Sequence, residues 1–229
     1  MALYAIGDLH LSLGTDKPMD DFYGWDHYVE RLESNWRRLV TEQDTVVIAG
    51  DISWGMTMEE AHADFAFLQS LPGQKLLIKG NHDYWWQTRR KMDAFLAENG
   101  FSTLRIVHND AVAVDDRLAV CGTRGWFYDA EGDADKKVLN REVGRLHASV
   151  QAAKETGCEP VVFLHYPPVY SDSVCHEIMD ALKAEGITRC YYGHIHGAGI
   201  HKAVSGVFDG IDLRLISADA LSFVPLHIT

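Results

Sequence analysis

Long apolar runs, paired cysteines and an excess of basic residues are all missing from this 229-residue chain. No stretch approaches the roughly 20 uninterrupted apolar residues of a membrane helix, so no membrane partner is expected. Cys121, Cys158, Cys175 and Cys190 show no CxxC spacing. They read as reduced thiols, which argues against a disulfide framework or a zinc knuckle. The opening MALYAIGDLH has neither a basic n-region nor a long apolar h-region. No signal peptide is therefore expected, and the localisation expected is cytoplasmic. Lys and Arg number 21 against 33 Asp and Glu, a formal net charge of −12. That argues against nucleic acid as a partner, because such binding rests on cationic side chains neutralising phosphates. A small anionic substrate stays compatible, since bound cations reverse a local field whatever the net charge. Repeats, low-complexity tracts and linkers are absent too. With 47% hydrophobic residues the chain can bury a sizeable core, and one domain over residues 1–229 is expected.

What is present is a rhythm of strand, loop and helix. LYAIG (3–7), DTVVIAG (44–50) and QKLLIKG (74–80) read as buried strands. Helices are predicted over 25–40, with Tyr28, Leu32, Trp36 and Leu39 at helical spacing, and over 57–71, opened by Thr57 with Glu60 three residues on. A third is predicted over 89–100 and closed by Gly100. Residues 111–122 read as a hairpin, 124–137 as a polar insert, 138–156 as a helix and 160–165 as a strand. A helix over 177–186, a strand over 189–193 and antiparallel strands complete the chain. Helices on both faces of central sheets give a layered α/β sandwich.

Polar clusters fall immediately after these strands: Gly7-Asp8-Leu9-His10, Gly50-Asp51, Gly80-Asn81-His82-Asp83, Leu164-His165-Tyr166 and Gly193-His194-Ile195-His196. In open α/β sheets, ligands collect beyond the carboxyl ends of the strands. Each cluster alone has an ordinary explanation as a turn or a surface histidine. Their joint order, always at strand ends, points to one site.

The pattern D-x-H, G-D, G-N-H-D, H, G-H-x-H resembles the calcineurin-like metallophosphoesterase superfamily, from Asp8 to His196. The strings KPMD, GDISWGM, IKGNHDYWW and GTRGW are similar to a bacterial branch of phosphohydrolases. The resemblance implies a four-layer αββα sandwich with two central mixed sheets and a groove holding two divalent metals. It implies that Asp8, His10, Asp51 and His196 hold one metal, while Asn81, His165 and His194 complete a second that shares Asp51. Carboxylate, imidazole and amide donors without thiolates suit Mn, Fe or Zn. His82, outside that set, is expected to act as general acid on the leaving group. The expected reaction is hydrolysis of a phosphomonoester or phosphodiester by in-line attack of a hydroxide held between the metals. Asp83 is the candidate to orient His82, because Trp54 stands where the protein Ser/Thr phosphatases keep an acidic residue for that task.

Specificity is expected in the loops. Arg124 and Lys17 are candidate phosphate clamps. Trp126, next to Arg124, is a candidate substrate contact. Trp54, Trp85 and Trp86 are candidates to wall the groove or stack on a base. The segment Asp133 to Lys137 is a candidate lid. His27, His62, His108, His147, His176, His201 and His227 match no motif and read as structural. The substrate expected is small and phosphorylated, a nucleotide included. Two other readings compete: an interaction scaffold with weak catalysis, and a nuclease of the same fold.

Overall fold

Alternation along the strands sets the layers in this computed structural model, which describes residues 1–126 and 132–229. In β1 (Leu3–Ile6), β2 (Thr45–Ala49) and β3 (Gln74–Ile78), residues Leu3, Ala5, Val47, Ala49, Leu76 and Ile78 point one way. Their neighbours Ile6, Val46, Ile48 and Leu77 point the other way and are apolar as well. A strand apolar on both faces must be covered twice.

The outer cover of this sheet is α1 (Tyr28–Leu39), α2 (His62–Ser70) and α3 (Arg89–Glu98), followed by a short strand, β4 (Leu104–Ile106). The second half supplies β5 (Ala111–Ala113), β6 (Leu118–Thr123), α4 (Asp133–Glu155), β7 (Glu159–Leu164), β8 (Val169–Tyr170), β9 (Ser173–Val174), α5 (His176–Ala184) and β10 (Arg189–Tyr192). A short 3-10 helix (Gly197–Lys202), β11 (Gly206–Phe208), β12 (Ile211–Leu215) and β13 (Leu226–His227) end the chain. Among the described residues the strands form a sheet ordered β13-β1-β2-β3-β4, a second ordered β11-β12-β10-β7-β6-β5, and the small β8-β9 ribbon. Both large sheets are mixed: β13, β11 and β5 run antiparallel to their neighbours, and the other pairs are parallel.

Val161 and Phe163 of β7 and Tyr191 of β10 meet the inward residues of the first sheet, making an apolar layer between the sheets. Val162 and Leu164 turn outward onto α4 and α5. The result is the expected αββα order. Phe163 is fully buried and stacks on Tyr191 at 5.2 Å. The four cysteines are free thiols. No described helix is long and apolar enough to cross a membrane.

Several expectations need correction. Regular helix in α2 starts at His62 rather than at residue 57. The Thr57 hydroxyl does accept from the Glu60 N–H at 3.2 Å, but the Glu60 carboxylate accepts from Met56, so the box closes a separate turn. Helix α4 begins at Asp133, which puts Asp133 to Lys137 in its first turns instead of in a lid. Residues 127–131 of the polar insert lie outside the described residues. Neither β4 nor the β8-β9 ribbon was anticipated; both are too short to carry a periodic signal. Strand β13 pairs with β1, so the chain end returns to the first sheet.

Phe163→Ala is expected to cost about 3–5 kcal/mol, the usual loss for a buried aromatic. Urea denaturation measures it. A loss below about 1 kcal/mol would mean the sheets do not close over this ring.

Candidate metal centre

The loops carrying the polar clusters are themselves paired. Asp8, His10 and Leu11 donate their N–H groups to Gly50, Asp51 and Ile52 at 2.9–3.0 Å, and Gly193 donates to His165 at 3.1 Å. The central residues of the two X-apolar-X motifs are anchors: Leu9 is buried in the core under α1 to α3, and Ile195 in the core under α4 and α5. Side chains on either side of each anchor are thereby turned to the groove.

This geometry strains the backbone. Asp8, His10, Asp51 and His194 adopt φ of 58°, 46°, 49° and 72°. Each such residue costs on the order of 1–3 kcal/mol and persists where the surroundings over-determine it, typically at functional sites. Two glycines let other loops close against these carboxylates. A Cβ at Gly80 would lie 2.1 Å from an Asp51 oxygen, and one at Gly193 would lie 2.3 Å from an Asp8 oxygen.

The donors gather in two groups, Asp8 with His10 and His196, and Asp51 with His165 and His194, each with ligand atoms within 4.8 Å of one another. The groups touch. His10 Nε2 lies 3.3 Å from His196 Nε2 and 3.8 Å from Asp51, while the His165 ring reaches Asp8 at 3.6 Å and Asp51 at 3.5 Å. Asn81 Oδ1 is 2.6 Å from His165 Nε2, and His165 Nδ1 sits 3.1 Å from the Ala49 carbonyl. Donation from Nδ1 to that carbonyl leaves Nε2 free as a ligand. The donor set fits two divalent cations: two buried carboxylates, four imidazoles and an amide around one space.

Electrostatics agree. Burial lowers His10 and His194 to about 3 and also lowers His165, leaving the neutral rings that ligate metals. Asp51 is pushed up to about 8, by burial and then by the charge of Asp8. Burial acts upward on Asp8 too, but the hydrogen bond and charge of His196 outweigh it and hold that carboxyl below its usual range. For His196, burial acts downward, yet hydrogen bonds to Asp219 and Asp8 raise it to about 10. Two carboxylates thus favour a proton on the His196 ring, and a cation ligated there would take the place of the Nε2 proton.

Asp219 was not anticipated from the sequence. Its carboxylate accepts from His196 Nδ1 and the Gly197 N–H, both at 2.9 Å, fixing the ring so that Nε2 faces Asp8. An acidic residue just after β12 was the available signal. Lys79, half-buried near Arg124, was also missed; burial, then Arg124, lowers its pKa.

Asp83 departs from its expected role. Its buried carboxylate accepts from the backbone N–H groups of Gly80, Asp51 and Ile52 at 2.7–3.0 Å, and from the Trp85 indole at 3.0 Å. It binds one loop to another, and no hydrogen bond joins it to the His82 ring, whose Nδ1 is buried without a partner among the described residues. The His82 N–H donates to Asp51 at 2.8 Å, and its ring lies 5.8 Å from His10 and 4.6 Å from Trp54. Trp54 in turn stacks on His10 at 4.9 Å with the Lys17 ammonium 4.9 Å over its ring. Trp85 and Trp86 are buried in the helix-side core, with Trp85 against Phe65 at 4.8 Å, so neither walls the groove. Arg124 lies over Trp126 and Tyr166 at 5.4 and 5.9 Å and 3.8 Å from the buried Glu142, and Tyr166 packs on His194 at 4.6 Å.

Two His/Asp groups sharing a groove at the strand ends define a dinuclear type of metal site. The chain belongs to the calcineurin-like phosphoesterase family, whose model matches residues 1–198. Its fold is similar to that of the phosphopantetheinyl hydrolase PptH from Mycobacterium tuberculosis (TM-score 0.58, 14% identity, 99% of this chain and 95% of that one). It is also similar to AQ665, a protein of unknown function from Aquifex aeolicus (TM-score 0.53, 14% identity, 99% and 95%). Among curated relatives, the gene 66 proteins of mycobacteriophages L5 and D29 are 46% identical over 52 residues and 40% over 76. These alignments cover 23% and 33% of this chain, and 25% and 37% of the phage proteins' own length.

Two substitutions test this construction. Asp83→Asn leaves backbone donors facing an amide nitrogen and is expected to lose about 1–3 kcal/mol of stability together with metal content. Unchanged denaturation and metal content would remove its stitching role. Asp219→Ala is expected to weaken Mn²⁺ binding about 10–100-fold in calorimetry, as loss of a histidine-orienting carboxylate does. An unchanged Kd would show that the His196 ring needs no such support.

Proposed function

We propose that the protein is a metal-dependent phosphoesterase in which Asp8, His10, Asp51 and His196 hold one divalent cation and Asp51, Asn81, His165 and His194 a second. One observation carries this reading: two His/Asp groups meet in one groove with a further histidine, His82, at its edge. Mn, Fe or Zn suits the donors, and when bound such cations supply an activated water and offset charge on the phosphoryl group. The chain's own residues do the rest. His82 gives its proton to the leaving oxygen as the P–O bond breaks and water oxygen joins phosphorus. Lys17 and Arg124 supply fixed positive charge for phosphoryl oxygens. Asp83 keeps the loops after β2 and β3 in register. The net charge of −12 favours a small phosphorylated substrate over nucleic acid, and free thiols suit a reducing, cytoplasmic compartment.

His82→Ala is expected to reduce turnover about 100-fold or more for esters with poor leaving groups, and far less for p-nitrophenyl phosphate, at unchanged metal content. Burial, then the charges of His165 and Lys17, lowers the pKa of His82. A lowered pKa means the proton-donating form is lost as pH rises through a value below the ordinary imidazole range. Activity on poor leaving groups should therefore decline on the alkaline side, and His82→Ala should flatten that decline. Equal losses for good and poor leaving groups would deny His82 the role of acid. No turnover by the metal-loaded wild type would favour the scaffold reading.

A further inference from the structure

A cavity of about 790 Å³ opens beside the metal centre. His10, His82 and His196 line it together with Met19, Phe22, Tyr23, Trp25 and Trp54, and the rings of Trp54 and Trp25 pack against the histidines. Phe22 and Tyr23 are 60% and 104% exposed, large apolar groups with nothing over them. No Lys or Arg is among the described residues lining the space. Arg124 and Lys79 are on the Tyr166 and His194 side, and the Lys17 ammonium lies 4.9 Å over the Trp54 ring at the cavity's edge. The cavity wall is therefore mainly aromatic, with Lys17 as the one ammonium at its edge among the described residues.

Resting on the phosphoesterase reading of the same site, we propose that this cavity receives the leaving group of the substrate, and that this group is a large apolar, aromatic-sized alcohol. The position of His82 fixes the direction. A general acid must touch the oxygen that departs, so whatever is attached to that oxygen extends into the space His82 faces. That space is the aromatic cavity. Its volume is in the range of pockets that enclose a small ligand, and its walls gain by burying apolar area rather than a second charged group. A further phosphate would face the Asp219 carboxylate with no Lys or Arg in the lining, and a hydroxylated sugar would give up water against walls that are mostly apolar.

The test is calorimetric binding of non-hydrolysable phosphonates to the metal-loaded full chain: methylphosphonate, phenylphosphonate, naphthylphosphonate, and a ribose-bearing phosphonate of similar size. Affinity is expected to rise at least about tenfold from methyl to naphthyl, with the ribose analogue no tighter than phenyl. The double variant Phe22→Ser, Tyr23→Ser changes exposed positions and is expected to cut the naphthyl-to-methyl affinity ratio by about fivefold. Equal affinities across the series, a tighter ribose analogue, or a ratio untouched by the double variant would overturn the assignment while leaving the phosphoesterase reading in place. Failure to bind any phosphonate would overturn both.

Discussion

Two carboxylates, Asp8 and Asp51, are buried where both touch the ring of His165. Neither has the water that would disperse its charge, and the charge of Asp8 helps drive Asp51 up to about 8. Such a pair is tolerable when one carboxyl keeps a proton or when positive charge lies between and around the two. The surrounding chain can be read as the means of keeping the two together. The left-handed backbone at both residues aims them inward, Gly80 and Gly193 let other loops close against their oxygens, and His82 and His194 donate N–H groups to them. Hydrogen bonds to Asp219 and Asp8 raise the pKa of His196, so its ring can share that charge as a proton donor until a bound cation replaces the Nε2 proton.

The division of labour between adjacent residues 81, 82 and 83 follows from the same constraint. Asn81 turns to His165, and His82 turns its ring to the cavity while its N–H holds Asp51. Asp83 turns back into the protein to accept the N–H groups of Gly80, Asp51 and Ile52. The packing of the tryptophans follows suit. Trp85 gives its indole N–H to Asp83 and its faces to the core, so an aromatic pair beside a site motif is here a foundation instead of a wall.

How much of this was legible in the sequence depends on the length scale of each signal. Strands such as Val46-Val47-Ile48-Ala49 announce burial on both faces, and the polar residues that follow them stand out against that background. The layered order and the gathering of Asp8, His10, Asp51, Asn81, His165, His194 and His196 were readable for that reason. Asp219 was not, because it touches His196 across 23 residues and nothing local distinguishes it from a turn aspartate. Trp85 and Trp54 look alike in sequence, yet one packs on Phe65 and the other on His10. Deciding between them required the angle at which each loop leaves its strand. The apolar cavity was equally hidden, since Phe22 and Tyr23 belong to the first loop and Ile200 to a 3-10 helix in the second half.

The site also has a mechanical consequence. Asp8, His10, Asp51 and Asn81 follow strands of the first sheet, whereas His165, His194 and His196 follow strands of the second. Leu9 roots one ligand pair in the first helix-side core, and Ile195 roots the other in the second. Each of the two His/Asp groups draws on both sheets. Any cation gathered by either group therefore ties sheet to sheet at the open end of the sandwich, where the inter-sheet apolar layer stops. Binding that requires both halves to be folded adds its free energy to folding by mass action. The strained backbone at Asp8, His10, Asp51 and His194 is the opposing term. The protein holds its ligands in costly conformations that apolar packing on both sides enforces, and a cation bound among them would offset that strain.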